Sequence, residues 1–179
     1  MRTLSKVISG GQTGVDQAAL RAAKGCGLEI GGWCPPGREC ESGTIPSQFP
    51  LEETPNDRSP DAPDLPRSQR TEWNVRDSDG TLVVVAGAER GASSSEGATE
   101  GTGWTTECAK RYQRPLLVCD VGDPNAKEKV ERWLAATPLT TLNVAGPSES
   151  TSPGIGDETY ALLKRVFRLR GERGSSGGL

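Results

Sequence analysis

The run Thr81–Ala86, TLVVVA, constrains the fold more than any other stretch. It is rich in β-branched residues and apolar on both faces, as a central parallel strand covered from both sides must be. Such a strand commits the rest of the chain to supplying helices. Short apolar runs recur at Leu4–Ile8, Leu28–Trp33, Pro115–Asp120 and Thr141–Gly146. Between them lie segments with helical spacing. Val15, Ala19, Ala22 and Cys26 mark the first, which stops at Gly27; the others are Arg70–Ser78, Thr105–Tyr112, Ala126–Ala136 and Asp157–Leu169. This alternation predicts an α/β fold, a three-layer open sheet, mostly parallel, with right-handed crossovers. At 179 residues the chain suits one domain, taken here as 1–170.

Two regions break the rhythm. Cys34–Gln69 holds eight of the 13 prolines without periodicity, so the long Pro-rich loop at 34–69 is expected to be a lid, a binding loop or disorder. Arg90–Gly101 is a polar loop of small residues, and 171–179 is expected to be a flexible tail.

Composition removes several classes of function. With no histidine, neither Ser-His-Asp nor Cys-His catalysis is available, and acid-base chemistry falls to carboxylates. The five cysteines form no Cys-x-x-Cys pair, and no metal site is expected. A net charge of -3 argues against duplex nucleic acid as a partner. Neither a membrane-length apolar run nor a secretory core at Met1–Ser9 is present, so a cytoplasmic protein is expected.

In an open parallel sheet, ligands bind beyond the carboxyl ends of the strands where chain direction reverses. After the first strand comes SGGQTGVD, in which Gly10, Gly11, Gln12, Thr13 and Gly14 precede a helix. Glycines permit close backbone approach and the helix N-terminus offers unpaired N–H groups, which together suit a phosphate-like anion. The alternative is a turn without ligand, in which Thr13 and Asp16 cap the helix. Neither the dinucleotide fingerprint nor the P-loop lysine is present. After the third strand, Gly101, Thr102 and Gly103 form a second candidate cradle. Glu107 follows as a dipole partner, a ribose ligand or a general base. The fifth-strand loop brings Asn143, Ser148, Glu149 and Ser150 toward the same rim. Ahead of the third strand, Arg70, Asn74 and Asp77 share one helical face. They serve either solvation or a bidentate hold on phosphate.

The segments SGGQTGVDQAAL, GGWCPPGRECESGTIP, RTEWNVRDSDGTLVV, GTGWTTECAKRYQRPLLV and LNVAGPSES, in that order, resemble the molybdenum cofactor carrier protein family. The resemblance spans most of residues 5–167. It implies a Rossmann-like fold, assembly as a homo-oligomer (dimer or tetramer), and binding of molybdenum cofactor, a pterin that carries a phosphate and a dithiolene-held molybdenum. It also implies a carrier or storage role, with molybdenum enzymes as recipients. At superfamily level the chain is similar to the lonely-guy phosphoribohydrolases and the DNA-processing mediator proteins. The hydrolase pattern P-G-G-x-G-T-x-x-E is not kept: the leading Pro-Gly-Gly is missing, and Thr102 to Glu107 is two residues too long. Asn56–Pro66 and ASSSEGATE look like additions near the pocket.

The leading expectation is therefore a binding protein for molybdenum cofactor or another phosphate-bearing small molecule, held by Gly10, Gly11, Gln12, Thr13, Gly14, Arg70, Asn74, Gly101, Thr102, Gly103, Glu107 and Ser148. The alternative is a nucleoside 5'-monophosphate phosphoribohydrolase, with Glu107 catalytic, or a nucleotide-ligand sensor. Single-stranded DNA binding is disfavoured by the acidic balance and an aromatic content of 4%.

Overall fold

The computed structural model describes residues 3–87 and 100–171. Five parallel strands form the central sheet: β1 (Lys6–Ile8), β2 (Glu29–Gly31), β7 (Gly80–Val85), β8 (Leu116–Asp120) and β9 (Thr141–Ala145). Their order is β2-β1-β9-β7-β8, so the last strand of the chain closes the middle of the sheet beside the first. β9 aligns Leu142 with Val7 on one side and Val144 with Leu82 on the other.

Alternation along β7 divides the two faces. Leu82 and Val84 join Val7, Leu142 and Val144 in the main core, which α1 (Val15–Gly25), α4 (Ala126–Ala136) and α5 (Ile155–Gly171) cover with Val15, Ala19, Val130, Leu163 and Phe167. α2 (Ser68–Arg76) and α3 (Glu100–Arg111) pack together across a smaller cluster of Val75, Trp104, Cys108 and Ala109. Helices on opposite faces complete a three-layer Rossmann-like fold.

Three boundaries differ from the sequence reading. α3 begins at Glu100, so Gly101–Gly103 lie within its first turn rather than in a loop before it. Two glycines read locally as a loop, whereas Trp104, buried with its indole N–H donating to the Ser68 carbonyl at 3.0 Å, fixes the helix through tertiary contact. The second strand splits at Gly32, where φ is +128° and a Cβ would lie 2.3 Å from the Ser9 carbonyl oxygen. The chain bends there into β3 (Trp33–Cys34). Asn143 sits inside β9, its amide donating to the Thr81 hydroxyl at 3.2 Å, and not at the rim.

The Pro-rich loop is a packed strap. It contains β3, a short turn at Pro36–Arg38, the antiparallel pair β4 (Glu39–Cys40) and β5 (Gly43–Thr44), and β6 (Glu52–Glu53), which pairs with β3. Cys34, Cys40, Ile45, Phe49 and Leu51 build a satellite core on Leu20 of α1. Arg38 ties the strap to itself by donating to the carbonyls of Leu51, Pro46 and Phe49 at 3.0, 3.2 and 2.9 Å. The stretch 56–66 lies along α2 and α3: Ser59 meets Glu72, Asp61 pairs with Arg111 at 3.1 Å, and Ala62 and Leu65 rest on the Trp104 cluster. The polar insertion, apart from its end at Glu100 and Gly101, and the tail after Gly171 lie outside the described residues.

Candidate functional site

The turn from Ser9 to Gly14 carries the chain off β1, and the Ser9 hydroxyl, donating to the Val144 carbonyl at 2.6 Å, ties it to β9. Gly10 is glycine because Arg70 lies against it: a Cβ there would come within 1.7 Å of Arg70 Nη1. This places the guanidinium above the carboxyl ends of the central strands. Its Nη1 donates to Asp16 Oδ2 at 2.9 Å, with the Asp16 side chain 2% and the Arg70 side chain 16% exposed. Asp16 Oδ2 also accepts the Gln12 amide at 3.2 Å. Burial pushes the Asp16 carboxyl above its ordinary range, against the opposing pull of Arg70, the Gln12 amide and Ser9.

Arg70 Nε is buried and has no hydrogen-bond partner among the described residues. A buried donor left unmade costs about 1–3 kcal/mol. Arg70 and Asp16 line a cavity of about 50 Å³, with Thr102 and Thr105 from the start of α3 and Ala145 and Gly146 from the end of β9. A water's share of liquid volume is about 30 Å³, so the space takes one tetrahedral oxyanion or a pair of waters.

The remaining expected site residues are placed differently. Several amides of the turn and the first helical turn bond within the protein: Thr13 donates to Gln12 Oε1 at 3.1 Å, Val15 to the Pro147 carbonyl at 3.3 Å and Gln17 to the Gln12 carbonyl at 3.1 Å. Gln12 Oε1 also accepts the Glu41 amide at 2.9 Å. Gly11, at φ +80°, lies beneath Ile45 and Leu51 of the strap. Gly14, also at φ +80°, meets backbone: a Cβ would lie 2.6 Å from the Pro147 oxygen and 2.7 Å from the Glu149 nitrogen. Asn74 is spent on Trp33, accepting its N–H and donating to its carbonyl, both at 2.9 Å. Gly101 and Gly103 occupy the first turn of α3, and among the described residues no atom beyond its own helix turn comes within 4 Å of the place of a Gly103 Cβ. Ser148 bonds with Thr151 at 2.9 Å in the loop before α5.

Glu107 lies outside the cavity. Its side chain is 51% exposed and accepts from Arg111 Nε at 3.2 Å. Thr102 and Thr105, three residues apart, share the inward face of α3, whereas Glu107, five residues from Thr102, turns away. In the spacing G-T-x-x-E, the acid falls on Thr105.

Two participants escaped the sequence reading. Thr105 was legible as the residue one helical turn after Thr102. Glu41, from the strap, accepts from the hydroxyls of Thr13 and Ser150 and from the Ser150 amide at 3.0 Å. Burial is the largest single influence and pushes its carboxyl up, but the bonds from Ser150 and Thr13 together outweigh it and hold the group at about 2. It borders an open groove of about 830 Å³, lined also by Thr13, Gln17, Arg21, Ser150 and Asp157. All five cysteines are free, and burial pushes Cys108 up to about 12, which disfavours a thiolate nucleophile there. Among the described residues, no three His, Cys, Asp or Glu side chains gather to hold a metal ion.

An open parallel sheet with helices on both faces, and an ion-paired cavity at the ends of its central strands, defines a Rossmann-like α/β architecture. Residues 7–167 match the Circularly permutated YpsA SLOG family, and the chain belongs to that family. It is similar to the crystal structure of the "Putative molybdenum carrier protein" of Syntrophus aciditrophicus SB. The two are 35% identical, with a TM-score of 0.78, over 93% of this chain and 96% of that one. No curated protein matches the chain.

Proposed function

We propose that this protein binds molybdenum cofactor as cargo, holding its phosphate in the Arg70 cavity, and serves as a carrier or store. One observation carries this reading: Arg70 presents a buried Nε without a partner among the described residues, on a side chain that lines a cavity of about 50 Å³. The likeness to a protein named as a molybdenum carrier supports the choice of ligand. The fit is to the phosphate end, for which Arg70 supplies charge and Thr102 and Thr105 line the wall. The molybdenum arrives already held by the cofactor's dithiolene, so no protein ligand set is required.

The site's own chemistry suits holding over cleaving. Thr105 stands at the place of the hydrolase acid, Glu107 faces solvent, and Asp16 is engaged by Arg70. Homo-oligomers and hand-over to molybdenum enzymes belong to the same proposal, as does a cytoplasmic setting. No described helix is long and apolar enough to cross a membrane.

The test is an anaerobic thermal-shift and binding comparison of molybdenum cofactor and molybdate against AMP. At about 100-fold excess over Kd the cofactor is expected to add about 2.7 kcal/mol, roughly 5–11 °C in Tm for a domain of this size. Molybdate alone is expected to add far less, and AMP to stay intact. Release of adenine, or no stabilisation by the cofactor, overturns the reading.

A further inference from the structure

Arg70, whose Nε is buried without a partner among the described residues, and the buried Asp16 carboxylate both line the cavity, and that combination constrains how an anion enters. Asp16 and Arg70 are a neutral pair, 2.9 Å apart, in the wall of the same small space. A phosphate monoester loses its second proton near about pH 6, so above neutrality it arrives as a dianion. Placed against Arg70 it also faces the Asp16 carboxylate, which has almost no access to water. Two like charges sharing a small buried site cannot both remain fully ionised, because each disfavours the charged form of the other.

Taking the phosphate site of the proposed function as given, we infer that Asp16 makes anion binding proton-coupled: the cavity accepts a phosphate dianion only together with one proton, shared between Asp16 and a ligand oxygen. The proton comes from solvent, no covalent bond changes, and release of the ligand returns it. The pair thereby acts as a specificity device. It favours oxyanions that keep a proton easily, such as phosphomonoesters, over sulfate, which does not.

The described surroundings of Asp16 support this. From the turn, the Gln12 amide reaches Oδ2 at 3.2 Å. From the end of β1 comes the Ser9 hydroxyl, and from α2 the Arg70 guanidinium, the charged group among the described residues that acts on Asp16. Across the cavity, α3 contributes the uncharged Thr102 and Thr105, α2 also Thr71, β7 Val83, and β9 with the residue after it Ala145 and Gly146. Arg70 is therefore the sole described counter-charge for both carboxylate and ligand. Burial pushes the Asp16 carboxyl up while Arg70 holds it ionised in the free protein, so an added anion acts on a carboxylate that takes a proton more readily than an exposed one.

The experiment uses the full chain and methyl phosphate as probe. Calorimetric titrations at pH 8 in buffers of different ionisation enthalpy count the protons taken up, and Kd is followed from pH 7 to 9. Wild-type protein is expected to take up close to one proton per anion and to lose affinity about tenfold per pH unit. Asp16→Asn is expected to take up almost none, with Kd changing less than about twofold over that range, and to bind sulfate about as well as methyl phosphate. If Asp16→Asn does not fold, the wild-type proton count decides by itself. Tight binding of methyl phosphate with no proton uptake overturns this inference and leaves the phosphate site standing. Absence of binding at any pH overturns both.

Discussion

Replacing Arg70 by methionine leaves the Asp16 carboxylate buried without its counter-ion. Removing one partner of a fully buried ion pair costs about 3–5 kcal/mol. Here the Arg70 side chain is 16% exposed and Asp16 can escape by protonation, which lowers the expected loss at pH 8 to about 2–3 kcal/mol, or roughly 5–10 °C in Tm. The loss depends on pH with a definite sign. The folded Asp16 carboxyl is already raised, and removing Arg70 raises it further. A raised carboxyl contributes its stability fully below the unfolded value near about 3.9 and loses it as pH rises through the folded value. The deficit of Arg70→Met is therefore smaller at acidic pH, about pH 5, and grows toward pH 8. Urea unfolding of wild type, Arg70→Met, Asp16→Asn and the double variant at both pH values measures it. The double variant is expected to recover most of the loss, since the two sites share one interaction. Equal losses at both pH values, with additive effects in the double variant, would refute the ion pair as the organiser of this cavity.

Glu41→Gln is expected to loosen the strap by about 1 kcal/mol, discounted for an exposed carboxylate. Because Glu41 titrates at about 2 in the fold, its contribution is present above the ordinary carboxylate range and fades as pH falls toward that value, which acid unfolding curves of the two proteins will register. Gly14→Ala places a Cβ 2.6 Å from the Pro147 oxygen at φ +80°. It should cost roughly 2–4 kcal/mol in chemical denaturation. Glu107→Gln should change stability by less than about 0.5 kcal/mol and leave ligand affinity unaltered; loss of binding or turnover on that change would restore the hydrolase alternative.

The layers of the fold were legible because their signals are local. TLVVVA reads as a doubly covered strand, and the helix at Ala126–Ala136 follows directly from Val130 and Leu134 at helical spacing. Strand order was not legible, since nothing in Thr141–Ala145 announces that it pairs with both β1 and β7. The strap was hidden for another reason. Ile45, Phe49 and Leu51 have no period because they fill a satellite core through turns, not along a helix or strand. At the site, Arg70 was visible as a cation on a polar helical face. Asn74 on the same face has a different purpose, holding both backbone groups of Trp33. The glycines mark close approaches correctly, but the atoms that approach belong to Arg70, to the strap and to the loop before α5. Sequence spacing shows that a Cβ is forbidden without showing what forbids it.

The central claim is that a phosphate group sits against Arg70, and a crystal structure of the anaerobic complex with molybdenum cofactor tests it most directly. The account predicts the phosphate within hydrogen-bond distance of Arg70 Nε, in the cavity lined by Thr102 and Thr105, with the Asp16–Arg70 pair retained. A phosphate bound instead in the open groove beside Thr13, Arg21 and Ser150, with Arg70 Nε still unpartnered, would contradict it.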